Sequence, residues 1–420
     1  MIVSRLADEL PQHIGQFAVA LLSWILVFPL TLLLPRDRSL AIVYGREQGK
    51  FVDNCKHLYC ACASLTELRT VCIVSDRHTM QAIERLGGNA VASGSAAEFR
   101  LWLRAGTVFV DSAEWTHGYR YAASQGARVV QLWHGIPLKL VELALERKRR
   151  IRPFPLNCVY GLFRRIRGRR VRTEWLLSTS RFVTERAFGK SFEFRNVSHA
   201  GYPRNDALFA NTLPLVRVNI DHRVSTIIDR HRASNGKVGI YAPTFREARS
   251  DPFADDSVDL PALSQAAARL DLLLLIKLHP AMHGRLRSTE LANLAFVEPD
   301  SDAYPLLPLT DFLITDYSSI FFDYLLLDRP VLFFPYDLEH YLAREREMYF
   351  DYGEMTPGPK SFDVQELAGA MADAVGGVDS WQAERARVRD LVFDYQDGKA
   401  AKRLLDELFP GEPARKVRKE

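Results

Sequence analysis

Cysteine is scarce in this chain of 420 residues: Cys55, Cys60, Cys62, Cys72 and Cys158 are all it has. The number is odd and no two form a CxxC pair, which excludes a disulfide scaffold and a zinc ribbon. Small buried thiols in a reducing compartment are the reading that remains. The sequence has no GxxxxGK[ST] loop, so it is not a P-loop nucleotidase, and no GxSxG elbow of the α/β-hydrolase kind. Only one long apolar run exists, which excludes a polytopic membrane protein. An excess of one charge is also missing, with 55 Lys+Arg against 51 Asp+Glu and a net charge of +4. Taken whole, that balance calls for no polyanionic partner. Hydrophobic residues at 47% and charged residues at 25% are ordinary globular usage and exclude a disordered chain.

What is present begins with that apolar run. Residues 14–34 read IGQFAVALLSWILVFPLTLLL, 21 residues without a charge. As a helix the run would be about 31 Å long, enough to cross a bilayer core. A cleaved signal peptide fits poorly, because Asp8 and Glu9 precede the run and no small-residue cleavage site follows. Two readings stay open. One is a membrane anchor that Arg36 and Arg38 would orient with the main body in the cytoplasm. The other is a helix buried in the fold or lying in the membrane interface, bent at Pro29.

After Pro35 the pattern changes to short apolar strands alternating with amphipathic stretches. Strands are expected at 40–44, 71–74, 107–110 and 129–133, with helices near 51–62, 78–86 and 96–103. A second set of strands is expected at 238–241, 272–276, 312–314 and 331–334. This rhythm predicts an α/β fold of two Rossmann-like domains facing a cleft, with an apolar N-terminal helix. The expected boundaries are 1–35 for the apolar helix, 36–210 for the first domain, 211–236 for a link, 237–410 for the second domain and 411–420 for a charged tail. Residues 147–172 carry 11 Lys/Arg and no acid, interleaved with apolar side chains. Such a segment suits an anionic membrane surface, with Arg149, Arg150, Arg164, Arg165, Arg169 and Arg170 as the contacts. It lacks any groove-reading motif, so no nucleic acid is expected.

Four motifs sit where strands should end. In QLWHGIPLK (131–139), His134 and Gly135 follow a strand, and an imidazole there can serve as a general base. Helix capping or a backbone bond is the plainer role for the same histidine. YAPTFRE (241–247) offers Thr244 as a hydroxyl and Arg246 as a phosphate clamp, and GYPRND (201–206) places Arg204 similarly. IKLHP (276–280) delivers Lys277 and His279 to a strand end. His279 and His283 are four apart, but Pro280 breaks the helix that a metal pair would need and no carboxylate completes a site, so no metal is expected. ITDYSSIFFDYLLLDRP (314–330) ends a strand at Asp316 and opens a helix at Ser318 and Ser319. Hydroxyls and backbone N–H groups there suit an anion, and capping is compatible with that role. Asp300-Ser301-Asp302 reads as a turn rather than a metal–diphosphate pair.

In this order the motifs resemble the CDP-glycerol glycerophosphotransferase family, which includes teichoic-acid primases and polymerases and related capsule polymerases. The resemblance runs from about residue 44 to residue 359, through GREQGKFVDNCKHLY, QLWHGIPLK, LLSTS, GYPRND, YAPTFRE, KLHP, ITDYSS, RPVLFFPYDLEHY and YFDYGEMTPGP. It departs at Ile136, where the family often has a small polar residue. The resemblance implies a GT-B-like fold, donor binding mainly in the C-terminal domain, and a peripheral position on the cytoplasmic face of the cell membrane.

The implied reaction is attack by an acceptor hydroxyl, on a lipid-linked saccharide or growing polymer, on the polyol-bearing phosphorus of a CDP-polyol, with CMP leaving. His134 would be the general base and His279 a second catalytic residue. Thr244, Arg246, Lys277, Asp316, Ser318 and Ser319 would hold the donor phosphates. Asp53, Asn54, Gly135, Lys139, Arg204 and Asp206 would line the acceptor side or the cleft. No tightly bound cofactor is expected, because such transfers rest on positioning and electrostatics. Two alternatives stay open: a GT-B glycosyltransferase using a nucleotide sugar, since fold does not fix function, and a non-catalytic membrane-surface binding protein.

Overall fold

Near-continuous apolar runs suit strands buried on both faces, and here they form two fully parallel sheets. The computed structural model describes residues 15–63, 68–148, 172–209, 213–244, 253, 258–278, 291, 293–344 and 347–410. The first sheet has seven strands in the order β3-β2-β1-β4-β5-β6-β7. They are β1 (Asp37–Tyr44), β2 (Arg69–Val74), β3 (Ala90–Ala92), β4 (Ala105–Val110), β5 (Arg128–Gln131), β6 (Arg172–Leu177) and β7 (Glu193–Ser198). The second has five, ordered β10-β9-β8-β11-β12. These are β8 (Lys237–Ala242), β9 (Leu272–Ile276), β10 (Leu294–Phe296), β11 (Phe312–Thr315) and β12 (Val331–Phe333). All eight strands expected from the sequence are present. β3 and β10 are short, β7 carries polar residues on a sheet edge and β6 opens on the polar Arg172-Thr173-Glu174, so these four were not anticipated. β9 reads LLLLI and all five side chains are buried, each worth roughly 1.5–3 kcal/mol.

In both sheets the chain winds outward from the first strand and then returns to its other side. The order therefore reverses between β1 and β4 and again between β8 and β11. Ligands of such sheets bind outside the carboxyl ends of the strands at these reversal points.

The apolar helix α1 (Gly15–Leu33) is long and apolar enough to cross a membrane. Its second half is docked on the first sheet's unit. Trp24 meets Tyr121 edge-on at 5.7 Å, and Val27, Leu30 and Leu34 pack on the core formed by β1, β2 and β4. Just beyond it, the Arg36 guanidinium donates to the carbonyls of Trp102, Ala105, Ala123 and Gln125 at 2.7, 3.2, 2.6 and 2.5 Å. The opposite stripe is bare: Leu22, Ile25, Leu26, Leu32 and Leu33 are 54–76% exposed.

Helix α2 (Asp53–Ala63) follows β1, and the short α3 (Ile320–Tyr324) follows β11. The last two helices are α4 (Gln382–Val392) and α5 (Ala400–Leu408). α5 returns to the first unit, and α4 bridges the two, its Gln382 reaching Asp328 of the second at 3.2 Å. Asp394 N–H donates to Thr179 O at 2.9 Å, and Arg128 reaches Leu408 O at 2.7 Å. Val388, Val392, Leu404 and Leu405 share a core with Leu176 and Leu177 of β6. Cys55, Cys60, Cys62 and Cys72 are buried thiols, as expected; Cys158 lies outside the described residues.

Candidate active site

The two reversal points are closed by the same device. Asp111, directly after β4, accepts the Arg46 N–H at 2.7 Å through its side chain. Asp316, directly after β11, accepts the Thr244 N–H at 2.8 Å. Each carboxylate thus ties the loop after the first strand of its sheet to the loop after the fourth.

His134 stands at the first of these points. At the end of β5, Gln131 folds its amide back, accepting the Trp133 N–H at 3.0 Å and donating to Ser112 O at 2.9 Å. Trp133 takes φ +55° and Gly135 φ +137°, so the chain turns sharply around the histidine. Left-handed backbone at a non-glycine costs roughly 1–3 kcal/mol and marks a site held by its surroundings. The indole of Trp133 stacks on the imidazole at 4.2 Å. His134 Nδ1 lies 2.8 Å from Asp111 O. A carbonyl only accepts, so Nδ1 carries the proton and Nε2 is left as the basic nitrogen. Burial, then the charge of Arg46, pushes the His134 pKa down from 6.5 to about 4, so the ring is neutral near pH 7. Burial, then Asp53, pushes Asp111 up to about 7.

A cavity of about 250 Å³ opens between the two sheets, lined by Arg46, Lys50, Asp53, His134 and Arg204 from one unit and by Lys277, Ser318 and Ser319 from the other. The units touch at Gly135, where a Cβ would stand 2.8 Å from Arg204 Nη2 and 3.0 Å from Ser319 Oγ. Only glycine suits that close approach and that φ. Ser319 is the residue before α3, and its side chain caps no helix N–H. Its hydroxyl is therefore not spent on the capping role that the sequence left open.

Behind the cavity runs a buried ionic bridge. Arg204 donates to Asp53 at 2.6 Å, to Asp323 at 2.5 Å and to His134 O at 2.8 Å. Burial opposes the Asp53 carboxylate, but Arg204 and Arg46 outweigh it and hold its pKa below the usual range. Burial wins at Asp323, whose pKa is raised despite Arg204. A second link joins Asp302 to Lys56 and His57 at 2.8 and 2.9 Å, holding Asp302 well below the usual range against its burial. Asn54 binds the same assembly, donating to Trp133 O at 2.8 Å and accepting the Arg204 N–H at 3.2 Å.

Four of the expected residues make other contacts. Lys277 lines the cavity, but its three ammonium protons go to the carbonyls of Glu298, Pro299 and Ser301 at 2.8–2.9 Å. It shapes that loop and has no proton left for phosphate; burial lowers its pKa to about 8. Asp316 braces the reversal point, and a carboxylate would repel a phosphate. Asp206 is outside the cleft: it accepts the N–H groups of Ala400 and Ala401 and caps α5. Lys139 is outside it too, pairing with Met348 in an antiparallel bridge and lying over the Tyr341 ring at 4.8 Å. Arg246, His279 and the six arginines expected at the membrane lie outside the described residues.

Sequence reasoning passed over Arg46, Lys50, Asp111 and Asp323. Arg46 and Lys50 fall in the quoted GREQGKFVDN block, the signal that could have marked them. Asp302 closes a turn, as expected, accepting the Tyr304 N–H at 3.1 Å, and is also a buried ionic partner. Among the described residues no group of three or more His, Cys, Asp or Glu could hold a metal ion.

A family model described as CDP-Glycerol:Poly(glycerophosphate) glycerophosphotransferase matches residues 26–410. The chain belongs to this family. It is 29% identical over 293 residues to the teichoic acid glycerol-phosphate transferase of Staphylococcus aureus (strain NCTC 8325 / PS 47), covering 67% of this chain and 70% of that protein. It is 31% identical over 236 residues to a teichoic acid poly(glycerol phosphate) polymerase of Bacillus spizizenii (strain ATCC 23059 / NRRL B-14472 / W23), covering 55% of this chain and 57% of the relative. The alignment thus spans little more than half of the polymerase. The solved wall teichoic acid polymerase TagF superposes with a TM-score of 0.70 at 21% identity, covering 96% of this chain and 97% of that one. That likeness shows the shared GT-B-like fold. The family model begins at residue 26, so it includes the docked second half of α1, which the motif resemblance had left out.

Proposed function

We propose that this glycerophosphotransferase-family protein moves a polyol phosphate, glycerol phosphate first among them, from a CDP-polyol to a hydroxyl of a membrane-linked acceptor. The observation that carries the reading is His134: neutral, its Nδ1 proton fixed by Asp111 O, in a cleft faced from the other unit by Ser318 and Ser319. The acceptor oxygen forms a bond to the polyol-bearing phosphorus, the phosphoanhydride bond breaks, CMP leaves, and the acceptor proton passes to His134 Nε2. Ser318, Ser319 and the half-exposed Arg46 hold the phosphates, and Arg246, Thr244 and His279 complete the charge stabilisation as the resemblance implies. No tightly held cofactor enters this scheme.

The bare stripe of α1 supplies membrane contact at the cytoplasmic face, and the charge of the basic segment 147–172 adds attraction to anionic lipids. Ala20 and Ser23 are buried and residues 24–34 are docked, so one face of the helix is covered by protein from Ala20 onward. This supports a helix lying in the interface plane. Carbonate treatment of membranes is expected to release the protein; retention would favour a spanning anchor.

The test of the chemistry is CMP release from CDP-glycerol by the full chain with a lipid-linked acceptor. His134→Ala is expected to lower turnover by about 10²- to 10⁴-fold. Unchanged turnover would remove the base assignment. Activity with UDP- or GDP-sugars in place of CDP-glycerol would favour a sugar transferase.

A further inference from the structure

The peptides on both sides of His134 are held from helix α2. Asn54 donates to Trp133 O at 2.8 Å, and Arg204, itself bound by Asp53, donates to His134 O at 2.8 Å. Further along the same helix Lys56 and His57 are buried, and their counter-charge comes from the second unit. Among the described residues Asp302 is the only carboxylate within ion-pair distance of either, at 2.8 and 2.9 Å. Asp302 ends the loop 298–302 that follows β10. Lys277, at the end of β9, shapes this loop by donating to the carbonyls of Glu298, Pro299 and Ser301. Asp300 and Ser301 of the loop line the cleft cavity. One short loop therefore walls the cavity on one side and grips α2 on the other.

We propose that Asp302 is a positioning residue for the transfer: it seats the second unit's loop on α2, and α2 holds the peptide that carries His134 in line with the reacting hydroxyl. The proposal rests on the transferase reading above. A buried ammonium stripped of its carboxylate is strongly destabilising, so α2 keeps its place only while loop 298–302 is docked on it. The same docking brings the walls of the cavity together. Closure of the cleft and alignment of the base are thus one event, although Asp302 touches neither the imidazole nor the reacting atoms. Misplacement of a catalytic group by about 1 Å can cost about 10²-fold in rate, because the geometry of attack is lost.

The experiment removes both ends of the ion pair together, since removing one would strand the other. Lys56→Met with Asp302→Asn does so and keeps an acceptor for the Tyr304 N–H. Replacing a buried pair in this way is often neutral for stability. With radiolabelled CDP-glycerol, a lipid-linked acceptor and rates divided by the folded fraction, kcat for CMP release is expected to fall about 10- to 100-fold, with KM for CDP-glycerol within about twofold. In a His134→Ala background the same two substitutions are expected to cost nothing further, because the group they misplace is gone. An unchanged kcat, a change confined to KM, or an equal fall in both backgrounds would overturn the proposal and leave the transferase reading standing. Absence of CMP release by the unaltered chain would overturn the transferase reading and this proposal with it.

Discussion

At the carboxyl edge of the first sheet Asp111 accepts the Arg46 N–H at 2.7 Å; at that of the second, Asp316 accepts the Thr244 N–H at 2.8 Å. The strand order reverses at both places in the same way. What surrounds them differs. The first point gathers charge: Asp111, Asp53, Arg46, Arg204 and His134 are within one another's fields, and the pKa values of Asp111 and His134 move in opposite directions. The second offers small neutral groups, the hydroxyls of Ser318 and Ser319 ahead of a helix of five residues. The fold supplies two equivalent places, and in the proposed reaction the charge around each suits the first to handle a proton and the second to hold an anion.

Arg204 joins the two, so its loss should have the largest effect. Arg204→Ala strands the buried carboxylates of Asp53 and Asp323, and about 3–5 kcal/mol of stability is expected to go. Chemical denaturation measures it; a loss below 1 kcal/mol would mean that the units do not depend on this bridge. Next comes the second point. Ser319→Ala removes a hydroxyl expected to bond a charged oxygen, so kcat/KM for CDP-glycerol should fall by about 10- to 150-fold, equivalent to about 1.5–3 kcal/mol. An unaltered kcat/KM would take the anion away from this point. Smallest is a change outside the comparison. Asp206→Ala uncaps α5, costing roughly 0.5–2 kcal/mol, with kcat unchanged. A fall in kcat beyond the loss of folded protein would return Asp206 to the cleft.

His134 was legible because its cue is local: a strand, a turn and an imidazole fall within nine residues of sequence. The helices at 77–85 and 96–104 were legible for the same reason, each with Asp76 or Ser95 at its cap. Arg204 was noticed, but a lone arginine says nothing of the two aspartates, 151 and 119 positions away, that bury it. Lys277 looked like a phosphate ligand until the carbonyls of 298–301 were seen to take its protons. The amphipathic patterns of α4 and α5 report a buried face without reporting what buries it, so their packing against the first unit could not be read. Net charge misled in a similar way. Without residues 147–172 the chain has 44 basic and 51 acidic residues, so a balance of −7 hid behind +4.

The central claim is that a neutral His134 at the first reversal point works on a donor held by the second. The pH dependence of CMP release tests it most directly, with kcat/KM reporting the free enzyme and kcat the donor-bound one. Activity should disappear as pH falls and His134 takes up a proton. In kcat/KM that acid limb is expected near pH 4, where burial and Arg46 place the ring. In kcat it should lie higher, because the donor's phosphate charge offsets the nearby arginines. An acid limb near 6.5 in kcat/KM, or a profile that survives unchanged in His134→Ala, would contradict the claim.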